Sequence, residues 1–199
     1  MERNKVRKLV LYALFVALIF VLGLTPVGLI PLGFINVTLL CIPTIVGTVI
    51  LGLKAGLVLG FFFGTASLLS ALGISLVPQS GLAAMLLAEN PFFVVLMCYI
   101  PRLLVPVVTY FVHFACTRRR KSSLAVIPAA ICGSLTNTVF YLGLMLLFFV
   151  ICGLDSAPVL AVIGGTGLIA GSLEAAAAAL IATPVVAALS RMGITGNKD

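Results

Sequence analysis

The sequence predicts an all-α, polytopic membrane protein of six transmembrane helices with both termini cytoplasmic, and three observations carry that prediction. Hydrophobic residues make up 62 % of the 199 and charged residues 9 %, too little charge to coat a soluble domain. Uncharged or nearly uncharged stretches recur along the chain, most of them near the roughly 20 residues a bilayer-spanning helix needs. Basic residues are confined to alternate connections, and positively charged loops stay on the cytoplasmic side.

The first helix, over residues 9–24, follows Arg3, Lys5, Arg7 and Lys8. It is long for a secretory signal and no A-x-A cleavage site follows it, so it reads as a retained helix. The second and third, over 37–53 and 55–72, are separated by Lys54 alone, and Gly52 and Gly56 allow a sharp turn there at a membrane face. The fourth, over 92–116, ends before Arg118, Arg119, Arg120 and Lys121. The fifth occupies 124–152, and the sixth, over 164–189, runs out before Arg191 and Lys198. This arrangement places eleven of the twelve basic residues inside and leaves the loop acids Glu89 and Asp155 outside. Residues 1–199 thus read as one six-helix transmembrane domain, multi-pass in the cell membrane of a prokaryotic-type cell. The net charge of +7 follows from this topology and from attraction to anionic inner-leaflet lipid, without a nucleic-acid partner.

Cys41, Cys98, Cys116, Cys132 and Cys152 lie in or at the ends of apolar segments, with no C-x-x-C spacing and no neighbouring histidine, and read as packing residues. His113 is the single histidine, so a proton relay or a histidine-based metal site has almost nothing to build with. No metal or other cofactor is expected. Gly52, Gly56, Gly60 and Gly64 share one face at four-residue spacing, which suits backbone-to-backbone helix packing. Ala13 and Ala17, within LYALFVALIF, make a similar small patch on the first helix, either for packing inside the bundle or for docking another membrane protein.

Two outer connections are long: TPVGLIPLGFIN after the first helix and GISLVPQSGLAAMLLAEN after the third. The first, with Pro26, Gly28, Pro31 and Gly33 and ending in Asn36 and Thr38, suits a defined cap, and the second is apolar enough to lie over or dip into the bundle. Together they form a lid on an externally facing pocket, or they merely span the distance between helix ends.

Arg102 and Glu174 are the ionisable residues placed inside apolar segments, where charge is expensive and marks ligand or ion sites. At about 1.5 Å per residue, Arg102 lies roughly 15 Å from the outer end of the fourth helix. Asn137 lies at similar depth, Tyr141 one turn from it on the same face, and Glu174 somewhat inside the outer end of a sixth helix that starts near Thr166. Pro101 and Pro106 loosen the fourth helix around Arg102 and free carbonyls that protein, water or ligand must satisfy. One reading is a buried ion pair between Arg102 and Glu174 with Asn137 as an interhelical hydrogen bonder. Such a pair contributes little net stability after desolvation. The other reading is a site for a small anionic metabolite, in which the arginine fork takes a carboxylate and Asn137 and Glu174 receive hydroxyl or amide protons. Asn36, Gln79 and Asn90, at the ends of or within the outer connections, are further candidate contacts.

No G-x-x-x-x-G-K-[ST] phosphate loop occurs, so the chain does not itself hydrolyse ATP. Clustered carboxylates for a metal-dependent transferase and a Ser, His and Asp set for intramembrane hydrolysis are missing too, which argues against an enzyme.

The chain resembles the substrate-binding S components of energy-coupling-factor vitamin transporters, above all their pantothenate-type and then their folate-type members. The resemblance runs over essentially the whole chain: Ala13 and Ala17, the stretch from Ile42 to Ala71, NPFF at Asn90 to Phe93, Pro101 with Arg102, GSLTNTVF from Gly133 to Phe140, and the helix around Glu174. It implies a six-helix vitamin-binding subunit whose pocket lies toward the outer side, formed by the last three helices and capped by the outer loops. It also implies a transmembrane coupling T protein and two cytoplasmic ATPases as partners. The Ala13 and Ala17 patch would slide on the coupling protein while the subunit topples and carries the vitamin inward. Pantothenate offers a carboxylate for Arg102 and amide and hydroxyl groups for Asn137 and Glu174. Folate, with two carboxylates and a flat pterin, would favour more positive charge and aromatic surface than one intramembrane cation and no Trp supply. A structural or assembly protein, and a self-sufficient secondary carrier built of two opposed halves, are the competing classes.

Overall fold

Long apolar runs punctuated by glycine, proline and polar turns fold into helices joined by two structured connections in this computed structural model, which describes residues 2–26, 28–31, 36–118 and 122–191. Helix α1 spans Glu2–Leu24 and is followed by short antiparallel strands β1 (Leu29–Pro31) and β2 (Asn36–Thr38). Then come α2 (Cys41–Leu51), α3 (Leu53–Ala71), α4 (Gly81–Glu89), α5 (Pro91–Thr117) and α6 (Ser122–Ile151). A short α7 (Ala157–Val162) runs through a π-helical turn (Ile163–Gly167) into α8 (Leu168–Arg191). Within α1, α3, α5, α6 and α8 lie five stretches long and apolar enough to cross a membrane.

Four boundaries differ from the sequence reading, the first being that of α1, which begins at Glu2 and not at residue 9. The second helix begins at Cys41, not residue 37, because Asn36–Thr38 is extended and pairs with the preceding strand, Leu29 opposite Thr38 and Pro31 opposite Asn36. At 11 residues α2 is about 16 Å long, half of a ~30 Å hydrocarbon core. The second outer connection holds α4, whose Leu82, Ala83 and Leu86 are buried, so apolar periodicity there served a helix lying against the bundle. The helix expected to start near Thr166 is preceded by α7 and the π turn, where Gly164, Gly165 and Gly167 place no side chains that would resist the wider winding.

Gly52 makes the turn between α2 and α3, with φ of +92°, a left-handed conformation that favours glycine. Gly56 does not belong to that turn. With Gly60 and Gly64 it packs α3 onto α5: a Cβ on Gly60 would lie 2.6 Å from the Arg102 carbonyl oxygen, and one on Gly64 2.7 Å from the Tyr99 ring. Close backbone approach of this kind drives helix association where lipid is as apolar as leucine. Thr65 and Tyr99 hydroxyls hydrogen-bond across the same seam at 3.0 Å. Helices α5 and α6 share the most extensive interface, and Phe93 stacks on Phe148 with ring centroids 4.6 Å apart. One apolar cluster gathers around α1, α2 and α3, and a second around α4 and the facing ends of α5 and α6. The candidate site borders the second cluster, sharing Ala71, Ala83, Cys98 and Leu142 with it.

Candidate functional site

Helix α5 carries two internal prolines, and their chemistry decides where Arg102 can bond. A proline has no N–H for the carbonyl four residues back. Pro101 therefore leaves the Met97 carbonyl without its helical partner, and Arg102 Nη1 donates to that oxygen at 3.0 Å. The guanidinium carbon lies 4.5 Å from the Tyr141 ring centroid and 5.4 Å from that of Phe63, cation–π distances on two rings. Arg102 is 3 % exposed, and its Nε has no hydrogen-bond partner among the described residues.

Glu174, on α8, is buried and bonded through both oxygens. Its Oε1 accepts the backbone N–H of Thr38 at 2.6 Å, and its Oε2 accepts the Thr138 hydroxyl at 3.0 Å. One carboxylate thus ties the β-hairpin and α6 to α8. Gly171, one turn before it, lets the helices meet, since a Cβ there would sit 3.1 Å from the Thr138 methyl. No ion pair joins Arg102 to Glu174 among the described residues. Asn137 is buried, and its Oδ1 has no partner among them, as is true of the Thr38 hydroxyl.

These groups line one cavity, bounded by α3, α5, α6, α8, the π turn, Thr38 of β2 and the start of α4. About 740 Å³ of space between atoms lies in it when the open mouth and the solvent there are included. Arg102, Asn137, Tyr141 and Glu174, expected to converge, all line it. Gln79 and Asn90 do not. The Gln79 side-chain amide donates to the Ala71 carbonyl at the end of α3, and Asn90 caps α5 by accepting the Phe92 N–H at 3.1 Å. Each satisfies a helix terminus that would otherwise leave polar backbone unpaired. The Asn36 side chain lies outside the described residues. Ala13 and Ala17 are far from the cavity in sequence and exposed on α1, beside exposed Leu14 and Leu18.

Several cavity residues escaped the sequence reading. Thr138, next to Asn137, was visible only as part of TNTVF. Ser67, Ser70 and Ser80 line the wall, as does Cys98, assigned to packing. Short hydroxyls in apolar helices commonly bond their own backbone, so their type alone carries no signal of a site.

A donor fork and an unpartnered amide oxygen in a largely apolar wall suit a small ligand that is anionic at one end and polar along its length. The family model described as ECF transporter, substrate-specific component, matches residues 7–186, nearly the whole chain. The chain belongs to this family. It is also 31 % identical over 162 residues to the pantothenic acid transporter PanT of Lactococcus lactis subsp. cremoris (strain MG1363), a match covering 75 % of this chain and 77 % of that protein. This substrate-specific component is therefore a multi-pass membrane protein, a substrate-binding subunit of a vitamin transporter and not an enzyme.

Proposed function

We propose that this substrate-specific component captures pantothenate from outside the cell and delivers it inward as part of an ATP-driven importer in the plasma membrane. The observation that carries the reading is Arg102: a buried guanidinium without a carboxylate partner among the described residues, beside an unpartnered Asn137 oxygen in one cavity. A cation kept at membrane depth without an ion pair is expensive unless a ligand's carboxylate completes it. In this reading Arg102 takes the pantothenate carboxylate, Asn137 Oδ1 receives an amide or hydroxyl proton, and Tyr141 covers the chain. Glu174, already bonded to Thr38 and Thr138, receives a ligand hydroxyl only through its remaining lone pairs. The relative's printed substrate supports the choice of vitamin. Against folate, Arg102 is the one Lys or Arg among the described cavity residues, and a second carboxylate would find no cation there.

The chain threads the membrane six times, with α2 and the hairpin before it forming the short crossing, and both termini cytoplasmic. Its partners are a transmembrane coupling protein and two cytoplasmic ATPases, which supply the energy. The Ala13 and Ala17 face of α1, the least buried of the five long helices, is the docking surface for the coupling protein.

Thermal unfolding of the detergent-purified protein against a panel of vitamins tests the reading, because a ligand that binds only the folded state raises its midpoint. Pantothenate raises the midpoint, and Arg102→Ala abolishes the rise while the apo protein remains folded. Stabilisation by another vitamin alone changes the cargo; stabilisation by none, in folded protein, overturns the reading.

A further inference from the structure

Arg102 is held by an acceptor that its own helix creates. In an unbroken helix the Met97 carbonyl would accept the N–H of residue 101, but Pro101 has none, and a proline ring crowds the carbonyl four residues back. The carbonyl that results is the one hydrogen-bonded protein acceptor of the Arg102 guanidinium among the described residues, 3.0 Å from Nη1. One Nη is held there, the guanidinium carbon lies at cation–π distance from the Tyr141 and Phe63 rings, and Arg102 lines the cavity.

From this geometry we infer that Pro101 is a positioning residue for ligand selectivity: it supplies, by deleting a helical hydrogen bond, the acceptor that orients Arg102 toward the ligand's carboxylate. The inference rests on the reading of Arg102 as the carboxylate anchor. Preorganisation of this kind raises affinity by removing the cost of ordering a long side chain on binding. It acts on the anionic end of the ligand alone. Pro106 is the internal control. Its ring frees the carbonyl of Arg102 itself, which faces Gly60 of α3 and receives no side-chain donor among the described residues.

The test compares wild type, Pro101→Ala and Pro106→Ala for binding of pantothenate and of pantothenol, which carries an alcohol in place of the carboxylate. Pro101→Ala returns a helical N–H donor to the Met97 carbonyl. Pantothenate affinity then falls about tenfold while pantothenol affinity stays within about twofold, so the preference for the acid shrinks. Pro106→Ala leaves the preference at the wild-type value. A second readout needs no ligand: the guanidinium protons of Arg102, assigned by their loss in Arg102→Lys and followed by nitrogen-edited NMR in detergent. They give a separate, slowly exchanging Nη resonance in wild type that is lost in Pro101→Ala. An unchanged preference for the acid, or a resonance that survives in Pro101→Ala, overturns the inference. If wild type does not distinguish pantothenate from pantothenol, the anchoring role of Arg102 falls first, and the NMR comparison still decides what Pro101 does.

Discussion

At the scale of the residue, the two intramembrane charges part company. Arg102 has a carbonyl and two rings around it and no carboxylate among the described residues, whereas Glu174 has a donor on each oxygen. Their roles differ accordingly. If Arg102 anchors the pantothenate carboxylate as proposed, Arg102→Ala removes its counter-charge and weakens binding on the order of a hundredfold or more, read by titration calorimetry. Arg102→Lys does not restore it, since a point charge lacks the planar fork that meets Met97 and a carboxylate together. Glu174→Ala is expected to act before any ligand is present. It removes the acceptor of the Thr38 N–H and of the Thr138 hydroxyl, and the buried N–H left without a partner costs about 1–3 kcal/mol. The check is the unfolding midpoint of the ligand-free protein. An unchanged midpoint would make Glu174 a ligand contact and no more.

At the scale of the element, the α3–α5 seam sets the position of the cavity wall. Gly60 lies against the backbone of Arg102 itself, so a side chain there moves the anchor as well as the helix. Gly60→Val is expected to cost about 1–3 kcal/mol by overpacking and to lower pantothenate affinity with it. Gly143, on α6, has open space where a Cβ would stand, with nothing within 4 Å, so Gly143→Ala leaves both quantities near wild type. Unfolding midpoints and binding measured on the same preparations separate the two. The hairpin is the second element that matters. Its open end is closed by Leu39 N donating to Gly28 O, 2.9 Å, and beside that bond Thr38 N donates to Glu174. That fastening turns a connection into part of the cavity wall.

At the scale of the whole molecule, sidedness and assembly can be tested directly. An impermeant maleimide added to intact cells labels a cysteine at Asp155 but not one at Lys54, in a background with the five native cysteines replaced; the reverse pattern would invert the proposed topology. Bulky substitutions at Ala13 or Ala17, such as Ala17→Phe, spare vitamin binding and block uptake, because that face of α1 is exposed in the isolated subunit. Loss of binding in that variant would place the face inside the bundle and remove the proposed division between pocket and docking surface.

The sequence by itself determined the class of the protein, the long apolar helices and four of the polar residues that line the cavity, Arg102, Asn137, Tyr141 and Glu174. Composition and hydropathy act through the bilayer, which constrains every segment separately, and a charge at membrane depth is conspicuous wherever its neighbours fold. Family membership was legible for the same reason, since Arg102, TNTVF and the small-residue face stand at readable places along the chain. Only the tertiary structure decided what those groups bond to. Gln79 and Asn90 looked like ligand contacts until helix ends claimed them, and Glu174 looked like a free acceptor until the hairpin met it. Thr38 and Glu174 are 136 residues apart, and no local pattern encodes their hydrogen bond. Hydrogen bonds inside a membrane go to whichever partner packing brings within about 3 Å, and that distance is a property of the folded chain.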